Sequence, residues 1–420
     1  MDLKEKIVID EIDGKKFQIR FVQEEDNRKA VITHYLHNYH NGVKSHFEVE
    51  AIKYIKQIVK YKNEYESINI VSENAIQQLL FEVENVPFPT PENYTFKFID
   101  LFAGIGGFRI ALQNLGGKCV FTSEWDKFSK KTYKANFGEI PFGDITKEST
   151  KKYIPENFDV LCGGFPCQPF SHAGLKKGFE DTRGTLFFDV ADIINRRKKN
   201  GNPVKILFLE NVKGLKNHDK GNTLKRIISS LDELGYEVST EVLNSKNFGL
   251  PQNRERIFIV GWLKELGKTF QFPFGIDDNE EIIYKKDNLT NVKSTIVGDI
   301  LLKNPDAKYT ISDKLYAGHI RRRKAHKEKG NGFGFSSVNE NTQYTSTISA
   351  RYYKDGSEIL IEQKDANPRK LTPREAANLQ GYPENYIIPV SDNQAYKQFG
   401  NSVSVPVIQT IFEEIKKQLL

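Results

Sequence analysis

The sequence has 420 residues, 38% of them hydrophobic and 28% charged, enough for one large core with a smaller domain or for several ordinary domains. No run of about eighteen apolar residues occurs, which excludes a helical membrane span, and the opening MDLKEKIVIDEIDGKK lacks the apolar stretch of a secretory signal, so a cytoplasmic protein is expected. A formal charge of +6 mildly favours a polyanionic partner, and the unpaired spacing of Cys119, Cys162 and Cys167 argues against a disulfide framework or a zinc site.

Residues 1–94 carry no usable motif and are read as an N-terminal extension. Within them 16-KFQIRFV-22 alternates like a strand, 46-HFEVEAIKYIKQIVKY-61 repeats apolar positions at helical spacing, 73-ENAIQQLLFEV-83 suggests a second helix, and 86-VPFPTPENY-94 is a proline-rich break. From Phe96 the texture changes. The strand-like 96-FKFIDLFAG-104 runs into a glycine turn and a helix over 105–117, followed by a strand over 118–126 and a helix over 127–138. Strands over 158–164 and 204–212 alternate with helices over 185–199 and 222–235, and strands over 236–244 and 256–263 close the series. This is the pattern of an α/β fold with a mostly parallel sheet and helices on both faces, whose ligands gather at the strand C-terminal ends.

After 272-FPFG-275 the alternation fades. Residues 278–368 are polar and glycine-containing, with the basic run 321-RRRKAHKEKG-330 and a hairpin expected in 347-TISARYYKDGSEILI-361 around its KDG. Helical spacing returns in 373–381 and 405–420. The expected organisation is therefore an extension (1–94), a first domain (95–277), a smaller inserted domain (278–368) and a return to the first (369–420).

The segment 102-FAGIGG-107 sets Gly104, Gly106 and Gly107 between strand and helix, with neither the spacing of a dinucleotide fingerprint nor a phosphate-loop lysine. Glu124, at the end of the next strand, can accept both hydroxyls of a ribose; Trp125 can cover an adenine; Asp144 in 141-PFGDI-145 can accept from an adenine amino group. Together they favour an adenosine-bearing cofactor held without phosphates, and S-adenosylmethionine fits.

Cys167 sits in 163-GGFPCQPFS-171 between Pro166 and Pro169, behind two glycines. With ENV at 210–212, QNRERIFIV at 252–260, LTPREAANLQGYP at 371–383 and GNSVSVPV at 400–407, these segments over residues 95–420 resemble the bacterial DNA (cytosine-5)-methyltransferases of restriction-modification systems. The resemblance implies an S-adenosylmethionine methyltransferase sheet with an inserted target-recognition domain. Cys167 is then the nucleophile that bonds C6 of cytosine, Glu210 holds N3, and Arg256, assisted by Arg254, lies near the base O2. Phe102, Ala103, Leu186, beside Thr185, and Asn401 would complete the cofactor site, with S-adenosylhomocysteine as product and no metal.

The chemistry suits those residue types. C5 of cytosine is a poor nucleophile until a thiolate adds at C6 and makes C5 enamine-like, and a thiolate is accessible near neutral pH. A partly protonated Glu210 could offset charge developing on the ring. Because a paired cytosine is enclosed in the stack, the base must swing out. Gln168 and Ser171 beside the nucleophile, Lys176 and Lys177 in its loop, Arg321, Arg322 and Arg323 in the basic run, and Arg351 are expected to contact double-stranded DNA. A monomer suffices, a paired restriction endonuclease is the expected functional partner, and tRNA cytosine methylation in the same fold is the alternative.

Overall fold

Alternating apolar residues in the central strands face two separate cores, and this governs the architecture. The computed structural model describes residues 6–12, 15–21, 25–39, 43–62, 85–166, 186–330 and 334–419. The helix expected at 73–83, Cys167, Gln168, Ser171, Lys176, Lys177 and Thr185 lie outside the described residues.

An antiparallel hairpin, β1 (Lys6–Ile12) and β2 (Lys15–Phe21), precedes α1 (Glu25–His37) and α2 (Lys44–Lys62). Then come β3 (Phe96–Leu101), α3 (Gly107–Asn114), β4 (Gly117–Ser123), α4 (Lys127–Phe137), β5 (Val160–Gly164), α5 (Leu186–Lys199), β6 (Ile206–Val212), α6 (Asn222–Glu233), β7 (Tyr236–Asn244) and β8 (Glu255–Leu263). The six-stranded sheet has the order β4-β3-β5-β6-β8-β7, with β8 antiparallel to both neighbours and the remaining pairs parallel. The short link from β7 to β8 holds no crossover helix, so β8 returns beside β7 in the opposite direction.

Phe98, Val160, Cys162, Phe208, Phe258 and Val260 point into one core, where α3 packs against the C-terminal helix α10 (below). Ile99, Leu101, Leu161, Leu207, Leu209 and Ile259 point into the other, covered by α5, α6 and by Val31, Tyr35 and Leu36 of α1 and Phe47 of α2, so the extension serves as a packing layer. The extension is part of the second core.

Beyond β8, β9 (Gly275–Ile276) pairs with β10 (Ile282–Ile283); α7 (Asp313–Glu328) follows, and β11 (Ser337–Val338), β12 (Leu360–Gln363) and β13 (Ala366–Arg369) make a three-stranded sheet. The chain ends with α8 (Pro373–Leu379), α9 (Asp392–Asn401) and α10 (Val405–Leu419). Thr372 and Glu375 form a capping box on α8 with Pro373 in its first turn.

One expectation is corrected. The hairpin is shifted: β12 pairs with β13 across Lys364 and Asp365, whereas 350–355 forms turns. Tyr352 explains this, because its buried hydroxyl donates to the Ile359 carbonyl at 2.7 Å and accepts from Leu371 N at 2.8 Å, folding the segment inward. The basic run belongs mostly to the helix α7, capped by Ser312. That helix is polar nearly all round and buries only His319, so it carries no apolar stripe to reveal it.

Candidate active site

Strands β3, β4, β5 and β6 end side by side, and their C-terminal ends carry the expected residues. After Leu101 the backbone turns sharply, with positive φ at Phe102 (57°), Gly104 (55°) and Gly106 (83°). A Cβ on Gly106 would collide with the Phe137 ring, and one on Gly107 would lie 2.6 Å from Val403 and 2.8 Å from the Tyr382 hydroxyl. Gly104 differs: among the described residues a Cβ there would meet only the Phe102 carbonyl oxygen at 3.9 Å, an ordinary contact. Ala103 is anchored by its N–H to the Ser123 carbonyl at 3.0 Å.

Glu124 is buried, its Oε2 accepting from Gly104 N and its Oε1 from Asp126 N, both at 2.8 Å. Burial raises its pKa against the pull of those backbone donors. Trp125 beside it is 82% exposed, an apolar face turned to solvent. Asp144 accepts from Thr146 N and Oγ1 through Oδ1 alone. Leu186, half-buried, opens α5, and Asn401 is exposed at the end of α9.

Glu210 lies opposite Gly164 across β5–β6 and opposite Phe258 across β6–β8. Because β8 runs backwards, its first residues reach the same edge of the sheet, and Arg256 Nε lies 3.1 Å from Glu210 Oε1. Burial raises the Glu210 pKa, with Arg256 and then Arg254 opposing. A carboxyl so placed is easier to keep protonated than one in water.

Arg254 and Arg256 are brought together but differ in what they hold. Arg254 is buried; Nη1 donates to the Ile348 carbonyl at 3.1 Å and Nη2 to those of Gly400 and Ser402 at 3.2 and 2.6 Å. Its guanidinium therefore ties the inserted region to the segment after α9. Gly400 allows this approach, since a side chain there would strike the backbone of Ser349 and Ala350.

Several positions were missed as individual contributors although they lie inside quoted motifs. Asn211 Nδ2 donates to the Phe165 carbonyl at 2.8 Å and so fixes the segment leading to Cys167. Gln252 donates to the Leu379 carbonyl at 3.0 Å and accepts from Ile348 N at 3.1 Å. Their amides, each a donor and acceptor beside a motif arginine or glutamate, were the available signal.

The expected DNA residues on α7 are all exposed: Arg322 pairs with Asp355 at 3.0 Å, Arg323 lies 5.1 Å over the Phe335 ring, and Arg321 stands beside them. Arg351 is exposed in the turns after Ile348.

Residues 96–417 match the family model described as C-5 cytosine-specific DNA methylase. The chain belongs to this family. The methylase is 48% identical over 370 residues to the Type II methyltransferase M.HpaII of Haemophilus parainfluenzae, covering 84% of this chain and 97% of that one. It is 53% identical over 352 residues to M1.ScrFI of Lactococcus lactis subsp. cremoris, covering 83% of this chain and 85% of that one. A crystal structure of a Spodoptera frugiperda DNMT2 mutant shares the fold at 22% identity, with a TM-score of 0.59 over 78% of this chain and all (100%) of the other. The methylase is thus an enzyme that acts on cytosine C5 of DNA, with S-adenosylmethionine as the methyl donor its family implies. Among the described residues no helix is long and apolar enough to cross a membrane and no group of three or more His, Cys, Asp or Glu could hold a metal ion.

Proposed function

We propose that this methylase modifies one cytosine within a short duplex sequence through a Cys167 adduct, protecting DNA from a paired restriction endonuclease and working as a monomer. The reading is carried by the Glu210–Arg256 pair at the strand end from which the Cys167 segment departs. Gly164, at the end of β5, lies opposite Glu210 across the β5–β6 pair.

The cofactor side fits an adenosine-bearing ligand. Gly104 brings no side chain to the turn, Glu124 retains lone pairs beyond its two backbone donors, and the exposed Trp125 offers a ring. Phe102, Ala103, Gly106 and Gly107 shape the turn, and Asp144, Leu186 and Asn401 complete the set. Bound S-adenosylmethionine would supply a methyl group on a positively charged sulfur.

The Cys167 thiolate forms a C–S bond at C6 of the extruded base, and the displaced π pair moves through C5 toward N3. Glu210, whose burial raises its pKa and so favours its protonated form, donates at N3 and neutralises that charge. Arg256 steadies the Glu210 carboxyl and faces the base, while Arg254 acts through position by holding Ile348, Gly400 and Ser402. Methyl transfer to C5 would leave the bonding electron pair on the donor sulfur; loss of the C5 proton to solvent then expels the Cys167 thiolate, and the N3 proton returns to Glu210.

Arg321, Arg322, Arg323 and Arg351, with Gln168, Ser171, Lys176 and Lys177, are assigned to DNA. Within that set Arg321 is free to meet phosphate directly and Arg322 and Arg323 hold α7 in place. Residues 278–368 are assigned to target recognition between the two parts of the catalytic domain, 95–277 and 369–420. The family match and relatives about half identical favour DNA over the RNA alternative.

The test is a duplex carrying 5-fluorocytosine at the target, mapped first by bisulfite sequencing of DNA from cells expressing the protein. A stable protein–DNA adduct is expected with the native chain and none with Cys167→Ala. Normal methylation of ordinary duplex by Cys167→Ala would overturn the assignment.

A further inference from the structure

The cofactor turn rests on a buried ionic cluster that residues outside the family match complete. Arg109 of α3 is fully buried, donating through Nη1 to Glu139 Oε1 and to the Tyr133 hydroxyl, both at 2.9 Å. Its guanidinium lies 4.8 Å over the Phe137 ring, the same ring that meets Gly106. Glu139 also accepts from Thr122 Oγ1 at 2.7 Å. Thr122 lies on β4, the edge strand of the sheet, two positions before Glu124.

Helix α1 adds two further polar contacts, from imidazoles whose Nε2 atoms also lie 3.4 Å (His34) and 3.8 Å (His37) from the Glu139 carboxylate. His34 Nε2 faces the Thr122 backbone N–H at 3.2 Å, and His37 Nε2 meets Arg109 Nη2. Thr33 on the same helix accepts from Ile140 N at 3.0 Å. We propose that His34 and His37 are positioning residues for cofactor binding: as neutral imidazoles they accept from Thr122 beside Glu124 and from Arg109 beneath the glycine turn.

Donor and acceptor chemistry fixes the protonation state. An amide N–H and a guanidinium can only donate, so both Nε2 atoms must accept and carry no proton. His34 Nδ1 lies 2.9 Å from the Ala30 carbonyl, an acceptor, and takes the ring proton. Glu139, Arg109 and His46 face His34; Arg109, Glu139, Lys118 and His34 face His37. Glu139 and Arg109 already balance, so a further proton on either imidazole leaves an uncompensated buried charge and turns away a donor. Burial accordingly lowers both histidine pKa values. A depressed folded-state value contributes stability that is present above pH 6.5 and lost as pH falls below it.

The inference rests on the proposed cofactor site, and the experiment separates the two. Cofactor and DNA affinities are measured by calorimetry on full-length native protein, His34→Phe, His37→Phe, His34→Gln, His37→Gln and Glu124→Ala. Each Phe variant is expected to bind S-adenosylmethionine about tenfold more weakly with DNA affinity unchanged, and each Gln variant, which restores an acceptor, to recover most of it. Native affinity for the cofactor should hold through pH 6.5 and fall only as pH drops into the lowered range where the folded-state histidines take up protons, and the Gln double variant should flatten that dependence. Cofactor affinity within twofold of native in the Phe variants overturns the proposal, as does an unchanged pH profile in the Gln double variant, which also decides the matter if the Phe variants do not fold. Native affinity in Glu124→Ala instead sinks the site on which the proposal stands.

Discussion

Two carboxylate–arginine pairs in this methylase have opposite characters. Glu139–Arg109 is sealed in the core, where Glu139 also accepts from Thr122 Oγ1, and burial is outweighed by the Arg109 guanidinium and that hydroxyl so that the Glu139 pKa falls to about 2. Glu210–Arg256 sits at a strand end with one close contact, and there burial wins and the pKa rises. The number of donors a protein aims at a carboxylate decides whether it is a fixed anion or a proton source. The first pair holds the fold; the second is left chemically available.

The sharpest break of this contrast is Glu210→Gln. Methyl transfer measured at saturating substrates should fall about a thousandfold, while the denaturation midpoint stays near native. A large loss of stability with retained turnover would invert the comparison. Glu139→Gln should do the reverse, costing about 3–5 kcal/mol in chemical denaturation because it strips Arg109 of its counterion.

The two glutamates also predict opposite pH slopes. Glu139, with a depressed folded pKa, contributes stability above its ordinary value of 4.5 that drains away as pH falls toward about 2. Glu210, with a raised one, contributes stability below 4.5 that is lost as pH rises through its folded value. Denaturation series of Glu139→Gln and Glu210→Gln, each against native protein, should diverge in those directions. The smallest expected effect lies on α7: Arg321→Ala should lower the slope of log affinity against log salt by about one, and Arg322→Ala, whose side chain holds Asp355, by less.

Much of the catalytic side was legible because backbone constraint and chemistry coincide in short segments. Glycines at 104, 106 and 107 and the carboxylates Glu124 and Glu210 fall at strand ends, where alternation of strand and helix predicts ligands. Other features depend on partners far away in sequence. The role of Arg254 emerges only when Ile348 and Gly400 come to meet it, and α7 has no apolar stripe from which to infer a helix. The turn of the small hairpin was misplaced because KDG is a strong local signal, yet Tyr352 is pulled inward by Ile359 and Leu371. His34 and His37 were silent for the same reason: nothing near them in the chain announces Arg109 or Thr122.

The packing of α10 on α3 and on β3, where the Phe412 and Phe96 rings lie 4.9 Å apart, bears on the order in which this enzyme can mature. The helix that shelters the first strand leaves the ribosome long after that strand does, so a nascent chain must carry an unroofed apolar face through synthesis of the whole recognition region. Chaperone demand during translation, rather than the finished enzyme's strength, is where a weakened α10 would be felt first; ribosome-bound chains stalled before residue 405 are expected to be protease-sensitive across 96–114, and protection there would contradict this.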